Sequence, residues 1–547
     1  MRPDSDSEEA AEANSKSATF FLFLKSLFTP HICAMSSTSC APIVLGSRKS
    51  DLALWQALEV LRLLESDGLR SPDAPSLCVR TEASQGDLVL DRSLSALASG
   101  NPGLFTKELE VGLVSCAYDM AVHSLKDMPT TLPQGLALAG ISARDDPRDA
   151  IVLSARHAAA GLSGLEDLPP GSIVGTSSLR REAFLRRFYP HLRTALVRGN
   201  LNTRLRKLDA APATGAGGSS EPAAAAALTA AAAAAEVPTC YDALLLAAAG
   251  LKRMGWANRI TAYPSTEDCP YGVGQGALGI ECREGDARAQ QLARDVTHPA
   301  SALRCLAERA FLRALQGGCQ VPIGVSTSLL HQRTCSAAAA GALRGGSGSS
   351  GSPLATDLGA VDEAEGASGG SSSSSSSGGS ECAVYTLVLR GTVTSCAGSA
   401  SLTVEVSRAV SIPRGRVLCT VGTHGLEAVR SAAWVGDSEL RLGAAAMHCG
   451  GVGGGGGVSA SGATAAGAGS TRVHLGVTEA EWASLVATGE EVGLAAAQKL
   501  VAVSGAQALL EQLGLDAAGV GGSVGGAGGG GPKRPITYGA LEEPADR

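Results

Sequence analysis

Ser172-Ile173-Val174-Gly175-Thr176-Ser177-Ser178-Leu179-Arg180-Arg181 reads as a buried apolar strand that enters a loop of small polar residues and leaves it as a helix. The same order occurs at Gly46-Ser47-Arg48-Lys49-Ser50-Asp51, after the apolar run Ile43-Val44-Leu45. It occurs again at Arg198-Gly199-Asn200-Leu201-Asn202-Thr203-Arg204, after a strand over 194–197. Apolar runs predict further strands over 120–125 and 243–248, and periodic apolar positions predict an amphipathic helix over 52–64. Strand and helix alternate in this way to about residue 282, which predicts an α/β architecture with a largely parallel sheet covered by helices.

These loops have a chemical reading. A helix start offers free N–H groups and the positive end of a dipole, and small hydroxyl or amide residues let an anion approach closely. Arginine then grips a carboxylate with two parallel hydrogen bonds. Between residues 180 and 207 the chain carries eight arginines and one acidic residue, Glu182, within a protein of net charge −7. Three such units imply a ligand with several carboxylates or phosphates. Arg186, Arg187 and Arg193 read as a solvated helix face. The overall negative charge opposes general attraction to nucleic acid or an anionic membrane. Only 3% of residues are aromatic, too few for the stacking platforms of a single-strand binder.

Two further features stand apart. In Ala121-Val122-His123-Ser124-Leu125-Lys126-Asp127-Met128-Pro129 the proline stops the strand, so Lys126 and Asp127 fall at its carboxyl end, where open α/β sheets bind ligands. A carboxylate there can accept N–H hydrogen bonds and handle protons, with Lys126 beside it favouring the ionised form. A turn aspartate with a solvated lysine is the alternative. His123 reads as a core histidine. In Leu315-Gln316-Gly317-Gly318-Cys319-Gln320-Val321-Pro322-Ile323-Gly324 two glycines clear space beside a thiol. Cys319 is thus a candidate for covalent attachment, against the alternative of a small buried hydrophobe. The G-x-G-x-x-G match at Gly274-Gln275-Gly276-Ala277-Leu278-Gly279 lacks a preceding strand and is discounted as a dinucleotide site.

The 14 cysteines and nine histidines are scattered without zinc-ligand spacing, which predicts a reducing compartment and no metal. The tract at 211–238 is Ala-rich and reads as an insertion; 341–380 is rich in Ser and Gly, and 450–469 in Gly, Ala and Ser. Strands at 382–406 and 417–421 and helices within 479–513 suggest a small α+β unit enlarged by those insertions. The tail at 519–547 reads as disordered. At the start, an apolar run over 18–28 follows an acidic opening over 4–12. It reads as a targeting extension over 1–40, with a protein starting at Met35 as the alternative.

Together these segments resemble the porphobilinogen deaminase (hydroxymethylbilane synthase) family. The matching stretches lie at 46–56, 103–110, 123–129, 144–150, 175–181, 198–209, 249–255, 272–283 and 317–324, in the family's order, and the likeness fades beyond about 325. The resemblance implies a transferase that joins four porphobilinogen molecules head to tail, releasing ammonia, and yields hydroxymethylbilane for tetrapyrrole (haem or chlorophyll) biosynthesis. It implies that Cys319 carries a dipyrromethane cofactor through a thioether. Asp127 matches the carboxylate that holds pyrrole N–H groups and assists proton transfer as the electrophilic azafulvene forms. Lys126, Ser177, Arg180, Arg181, Arg198 and Arg204 match cofactor-binding positions, and Arg48, Ser50, Lys107 and Arg253 substrate-binding ones.

The implied fold is two periplasmic-binding-protein-like (type II) α/β domains with chain crossovers, plus a small C-terminal α+β domain. Domain one spans 41–142 with 268–288, domain two 147–264, and domain three 290–515. A monomer is the family-based expectation, with no nucleic-acid or membrane partner; the N-terminal extension points to a plastid, with a cytoplasmic protein starting at Met35 as the alternative. Asn101-Pro102 stands where family members often carry an active-site-loop lysine.

Overall fold

The computed structural model describes residues 42–66, 75–84, 105–210, 240–316, 321–335, 382–413, 416–421, 432–435, 439–442 and 471–515. Cys319, Asn101-Pro102, the targeting extension, the three low-complexity tracts and the tail lie outside the described residues.

The chain opens with β1 (Ile43–Arg48), α1 (Asp51–Leu64), β2 (Leu77–Glu82), α2 (Lys107–Val114), β3 (Met120–Ser124) and β4 (Leu136–Ile141). It crosses to a second unit through residues 142–148. There it forms β5 (Asp149–Leu153), the short α3 (Ala155–Ala159), β6 (Ile173–Gly175), α4 (Leu179–Phe188), β7 (Arg193–Ala195), α5 (Leu201–Asp209), β8 (Ala243–Ala247) and α6 (Ala248–Arg253). Residues 268–277 cross back to β9 (Leu278–Arg283) and α7 (Ala287–Asp295). A third part holds α8 (Pro299–Ala314), β10 (Ile323–Cys335), β11 (Cys382–Thr394), β12 (Ser401–Pro413), β13 (Arg416–Val421), β14 (Ala432–Val435), β15 (Glu439–Leu442), β16 (Thr471–Leu475), α9 (Glu479–Val501) and α10 (Ala506–Gln512).

The first sheet has the order β14-β15-β2-β1-β3-β9-β4 and the second β5-β8-β6-β7. In each, a central strand (β1 or β6) pairs in parallel with two neighbours. In each, a strand next to a crossover then runs antiparallel: β9 against β3 and β4, β5 against β8. The largely parallel sheet expected from alternation is therefore a pair of mixed sheets. A strand that follows a crossover enters from the opposite end, and periodicity carries no sign of direction. Strands β14 and β15, which position in the chain puts with the third part, join the first sheet: β15 pairs onto the edge of β2 through Leu440↔Val79 and Glu439↔Arg80, and β14 pairs with β15.

Helices cover both sheets as their apolar stripes require. Leu58 and Leu61 of α1 pack with Leu45, Met120 and Ile280 of the first sheet. In the second unit Phe184 and Leu185 of α4 cover one face with Val174 and Leu245, and Leu205 and Leu208 of α5 cover the other with Leu244 and Leu246. The third part packs α8 and α9 on the β10-β11-β12 sheet around Phe311, Leu387, Leu389 and Val492. Each such fully buried side chain contributes about 1.5–3 kcal/mol. Two small residues permit the contact: a Cβ on Gly391 would lie 2.3 Å from the Phe311 ring, and one on Gly493 would lie 2.4 Å from Ala307 O. A capping box at Thr478 and Glu481 starts α9.

A buried carboxylate ties the parts together. Glu308 on α8 is fully buried and accepts hydrogen bonds from Arg144 (2.6 and 2.9 Å), Gly274 N (2.9 Å) and Thr327 Oγ1 (2.7 Å). It thus holds both crossover segments and the third sheet. The discounted glycine motif lies in the second crossover: Gly274 and Gly276 have φ of 70° and 93°, and a Cβ on Gly276 would stand 2.5 Å from Asp145 O. Glycine lets the two crossover segments touch there.

Candidate functional site

Asp127 sits where its sequence places it. Strand β3 ends at Ser124, and Leu125–Asp127 forms one 3-10 turn before Met128 and Pro129. Arg309 of α8 pins that turn by donating to Met128 O (3.2 Å) and Pro129 O (2.6 Å). His123 stands on the same strand inside the core, its Nε2 3.0 Å from Glu281 Oε2, both side chains buried.

Around the turn the structure gathers Lys126, Arg181, Arg198 and Arg204. Burial lowers the pKa of Lys126; Asp127 opposes this, while Arg181 and Arg204 push it further down. Burial, then Arg181 and Arg198, push the Arg204 guanidinium down to about 10. Its Nε donates to Gly199 O at 2.8 Å. Arg181 and Arg198 are buried and Lys126 and Arg204 half-buried, so these are cations crowded together with little solvent between them, a field that anionic groups would relieve. The residues present therefore fit a polycarboxylate ligand such as a dipyrromethane with acetate and propionate arms.

Sequence reasoning missed the group that arranges the arginine pair. Asp149, the first residue of β5, is buried, and its two oxygens take Arg181 Nη2 (2.7 Å) and Arg180 Nη1 (2.8 Å). Gln275 Nε2 also donates to it at 2.9 Å, and the Cys269 thiol lies 3.6 Å away. Burial alone would raise this carboxyl; the two guanidinium groups overcome it and hold it well below the usual carboxylate range. Arg180 also donates to Pro270 O (2.6 Å), and Arg181 to Leu245 O (3.0 Å). The only signal in the sequence was the position of Asp149 in a stretch shared with the family. Arg180 further lines a cavity of about 250 Å³ between α4 and the third sheet, with Phe184, Cys269, Pro270, Pro322 and Thr392. Pro322 is next but two after Cys319.

The three helix starts differ. Ser178, before α4, makes no side-chain capping bond, and its own N–H donates to Thr176 Oγ1 (3.2 Å). Ser177 lies in the same loop. Ser50 caps α1 by accepting from Ala53 N, and Asn200 caps α5 by accepting from Thr203 N. Arg48 stands 4.7 Å from the Phe105 ring centroid, and Lys107 opens α2. Arg253 is set apart from the cluster: it binds Asp145 (2.7 Å) and Gly276 O (2.6 Å) at the crossovers. Arg186 and Arg187 are not a merely solvated face. They donate to Cys396 O (2.6 Å) and Gly398 O (3.2 Å), docking the β11–β12 loop on α4, a tertiary contact that charge spacing does not reveal. Arg193 is exposed. Gln316, two residues beyond the end of α8, is in the left-handed region (φ 51°).

Comparison with known proteins agrees with this arrangement. A family model described as "Porphobilinogen deaminase, dipyromethane cofactor binding domain" matches residues 43–291, and "Porphobilinogen deaminase, C-terminal domain" matches 302–338. A porphobilinogen deaminase of Synechococcus elongatus is 46% identical over 299 residues, 54% of this chain and 81% of that protein. One from Nostoc sp. is 46% identical over 293 residues, covering 54% and 79%. One from Gloeobacter violaceus is 46% identical over 288 residues, covering 52% and 76%. Among solved structures, an ancestral amino-acid-binding protein, AncCDT-1, aligns over 46% of this chain and 86% of its own at 11% identity, with a TM-score of 0.22, too low to carry an argument.

Proposed function

The chain belongs to the porphobilinogen deaminase family, and on that premise we propose that the cluster around Asp127 is its catalytic centre. The protein is an enzyme of tetrapyrrole biosynthesis that polymerises porphobilinogen with loss of ammonia, and its residues 43–291 match the cofactor-binding domain. The observation that carries the assignment is the gathering of Lys126, Arg181, Arg198 and Arg204 around the Asp127 turn at the end of β3, two of them buried and two half-buried.

A dipyrromethane held by a thioether to Cys319 would, when bound, supply the pyrrole α-carbon to which the next unit is joined. In each addition the aminomethyl C–N bond of porphobilinogen breaks, ammonia leaves, a C–C bond forms, and one ring proton is lost. Asp127 accepts the pyrrole N–H of the incoming ring. Its fixed negative charge stabilises the positive charge that spreads over that ring as the C–N bond breaks, a charge the buried site would otherwise destabilise. The same oxygens take up the proton released after bond formation. Lys126, Arg181, Arg198 and Arg204 hold the acetate and propionate arms of cofactor and substrate, with Ser177 and Arg180 at the start of α4. Arg48, Ser50 and Lys107 bind the incoming substrate, whereas Arg253 is engaged by Asp145 and Gly276 O at the crossovers and braces them. Asp149 orients Arg180 and Arg181 without touching the ligand.

The repeated order of a central strand, two parallel neighbours and one antiparallel strand supports two type II periplasmic-binding-protein-like domains. Their proposed bounds are 41–142 with 268–288, and 147–264, followed by a third domain over 290–515. The cyanobacterial relatives support the reading of a plastid enzyme serving haem and chlorophyll synthesis, with the cytoplasm as the alternative; that it acts as a monomer is part of the same proposal.

Intact-mass measurement of the denatured protein tests the attachment: an adduct of two pyrrole units that maps to Cys319 is expected, and an unmodified mass in active protein refutes it. Asp127→Ala should abolish ammonia release while the circular dichroism spectrum is retained. Normal turnover in that variant would remove Asp127 from the chemistry.

A further inference from the structure

The first turns of α1 and α5 meet across the two α/β units. Asn202 Nδ2 donates to Asp51 Oδ2 at 2.7 Å. Beside this bond a small apolar seam closes: a Cβ on Gly250 would lie 3.6 Å from Leu52 and 3.5 Å from Leu201, ordinary contact distances. The seam continues to Trp55, whose ring centroid is 5.6 Å from the Arg253 guanidinium, and Arg253 in turn grips the crossover segments at Asp145 and Gly276. A single line of contacts thus runs from the crossovers to Asp51 and Asn202. Burial raises the Asp51 carboxyl above its ordinary value, and the bond from Asn202 opposes that shift.

The position of this bond gives it a role. Ser50 immediately precedes Asp51 and Arg48 lies two residues before Ser50, while Arg198 and Arg204 flank Asn202. The spacing of the two loops, and so of two sets of groups for carboxylate arms, is fixed where these side chains join. A chain that gains four pyrrole units does not keep one length. Asp51 also places a negative charge between two cationic loops, so a ligand carboxylate is excluded from that point while the bond holds.

We propose that Asp51 and Asn202 are positioning residues for the polymerisation: their hydrogen bond holds the two arginine-bearing helix starts at the spacing suited to the first additions, and it parts as the later units enter. The proposal rests on the activity assigned above.

The test is a cycle of Asp51→Ala, Asn202→Ala and the double variant, with Asp51→Asn as the conservative control. Full-length enzyme carrying its cofactor is mixed with limiting porphobilinogen, and the covalent species are resolved by intact mass alongside steady-state KM and kcat. Each alanine variant should raise KM on the order of 10-fold with little change in kcat, the effect of losing one hydrogen bond to a charged group that pre-sets a binding geometry. The ladder of species should shift towards those carrying more units. The double variant should be no worse than either single one, because both remove the same bond. Asp51→Asn, which keeps an acceptor for Asn202, should restore most of the KM. Loss of fold would lower kcat and soluble yield together and would not shift the ladder, so the KM-against-kcat split keeps the two apart. Multiplying effects in the double variant, or an unchanged KM and ladder in both single variants, would overturn the proposal. A wild-type protein that shows no ladder would overturn the activity on which it rests, an outcome distinct from an unchanged ladder.

Discussion

Replacing Asp149 by alanine removes the one carboxylate shared by Arg180 and Arg181. Their side chains are 11% and 7% exposed, so solvent cannot take its place. Breaking a buried ion pair by deleting one partner costs about 3–5 kcal/mol, chiefly because the surviving charge is left uncompensated. Here two charges survive, and Gln275 loses an acceptor as well. With an m-value of about 3 kcal/mol per molar, the urea midpoint of the domain should fall by roughly 1 M or more. Asp146→Ala is the matched control. That carboxylate also pairs with two cations, but Arg148 and Lys252 are 40% and 41% exposed. Pairs of that kind contribute about 0–1 kcal/mol, so the midpoint should move by no more than about 0.3 M. Tryptophan fluorescence against urea at pH 7 measures both. Since the folded pKa of Asp149 is depressed, its stabilisation is complete above the unfolded value of about 4 and is lost as pH falls below that. The gap between wild type and variant should therefore stay constant from about pH 5 to 8 and narrow in acid. Equal midpoint shifts for Asp149→Ala and Asp146→Ala would refute the claim that burial makes Asp149 the organiser of the pair.

Lys126→Met should make the protein more stable by on the order of 1 kcal/mol, because a charge desolvated by burial is removed, while kcat/KM for porphobilinogen falls at least about 10-fold. Its folded pKa is lowered, so the destabilisation it causes at neutral pH should fade as pH rises towards 10.5. Thermal melts of preparations matched for covalent load check this, and a less stable variant with intact kcat/KM would contradict it. Gly276→Ala should cost more than Gly135→Ala. Both have positive φ, worth about 1–2 kcal/mol of strain for an L-residue, but only at Gly276 does the new methyl meet backbone, 2.5 Å from Asp145 O. Equal losses in urea midpoint would show that the crossover contact contributes nothing.

Part of this was legible in the chain because local chemistry dictated it. Proline at 129 stops a strand wherever it lies, so the location of Lys126 and Asp127 followed from sequence. The loops at 46–51, 175–181 and 198–204 were readable for the same reason: small polar residues between an apolar run and a helix have few other uses. Burial was not readable. Asp145, Asp146 and Asp149 stand in one short run, and only the tertiary fold makes Asp149 the shared counter-ion while Asp146 pairs with exposed partners. Arg253 looked like its fellow arginines but is engaged at the crossovers, and Arg186 and Arg187 looked solvated but dock a loop more than 200 residues away. Strand direction was hidden too, since β5 and β9 have the same apolar composition whichever way they run.

The interleaving of the two units has a consequence for synthesis on the ribosome. Strand β9 lies between β3 and β4, and β4 reaches the rest of its sheet only through it. Strands β1 to β4 therefore cannot join into one sheet when all four have been made; that joining waits for residues 278–283. The second sheet is drawn from one continuous stretch, β5 to β8, and can close earlier although it is translated later. During that interval the facing edges of β3 and β4 are unpaired, an opening for wrong strand pairing. The Ala-rich stretch at 211–238 lengthens the interval, since it must be translated before β8 and β9 emerge. Solubility of the nascent chain, more than stability of the finished enzyme, is where that insertion should be felt.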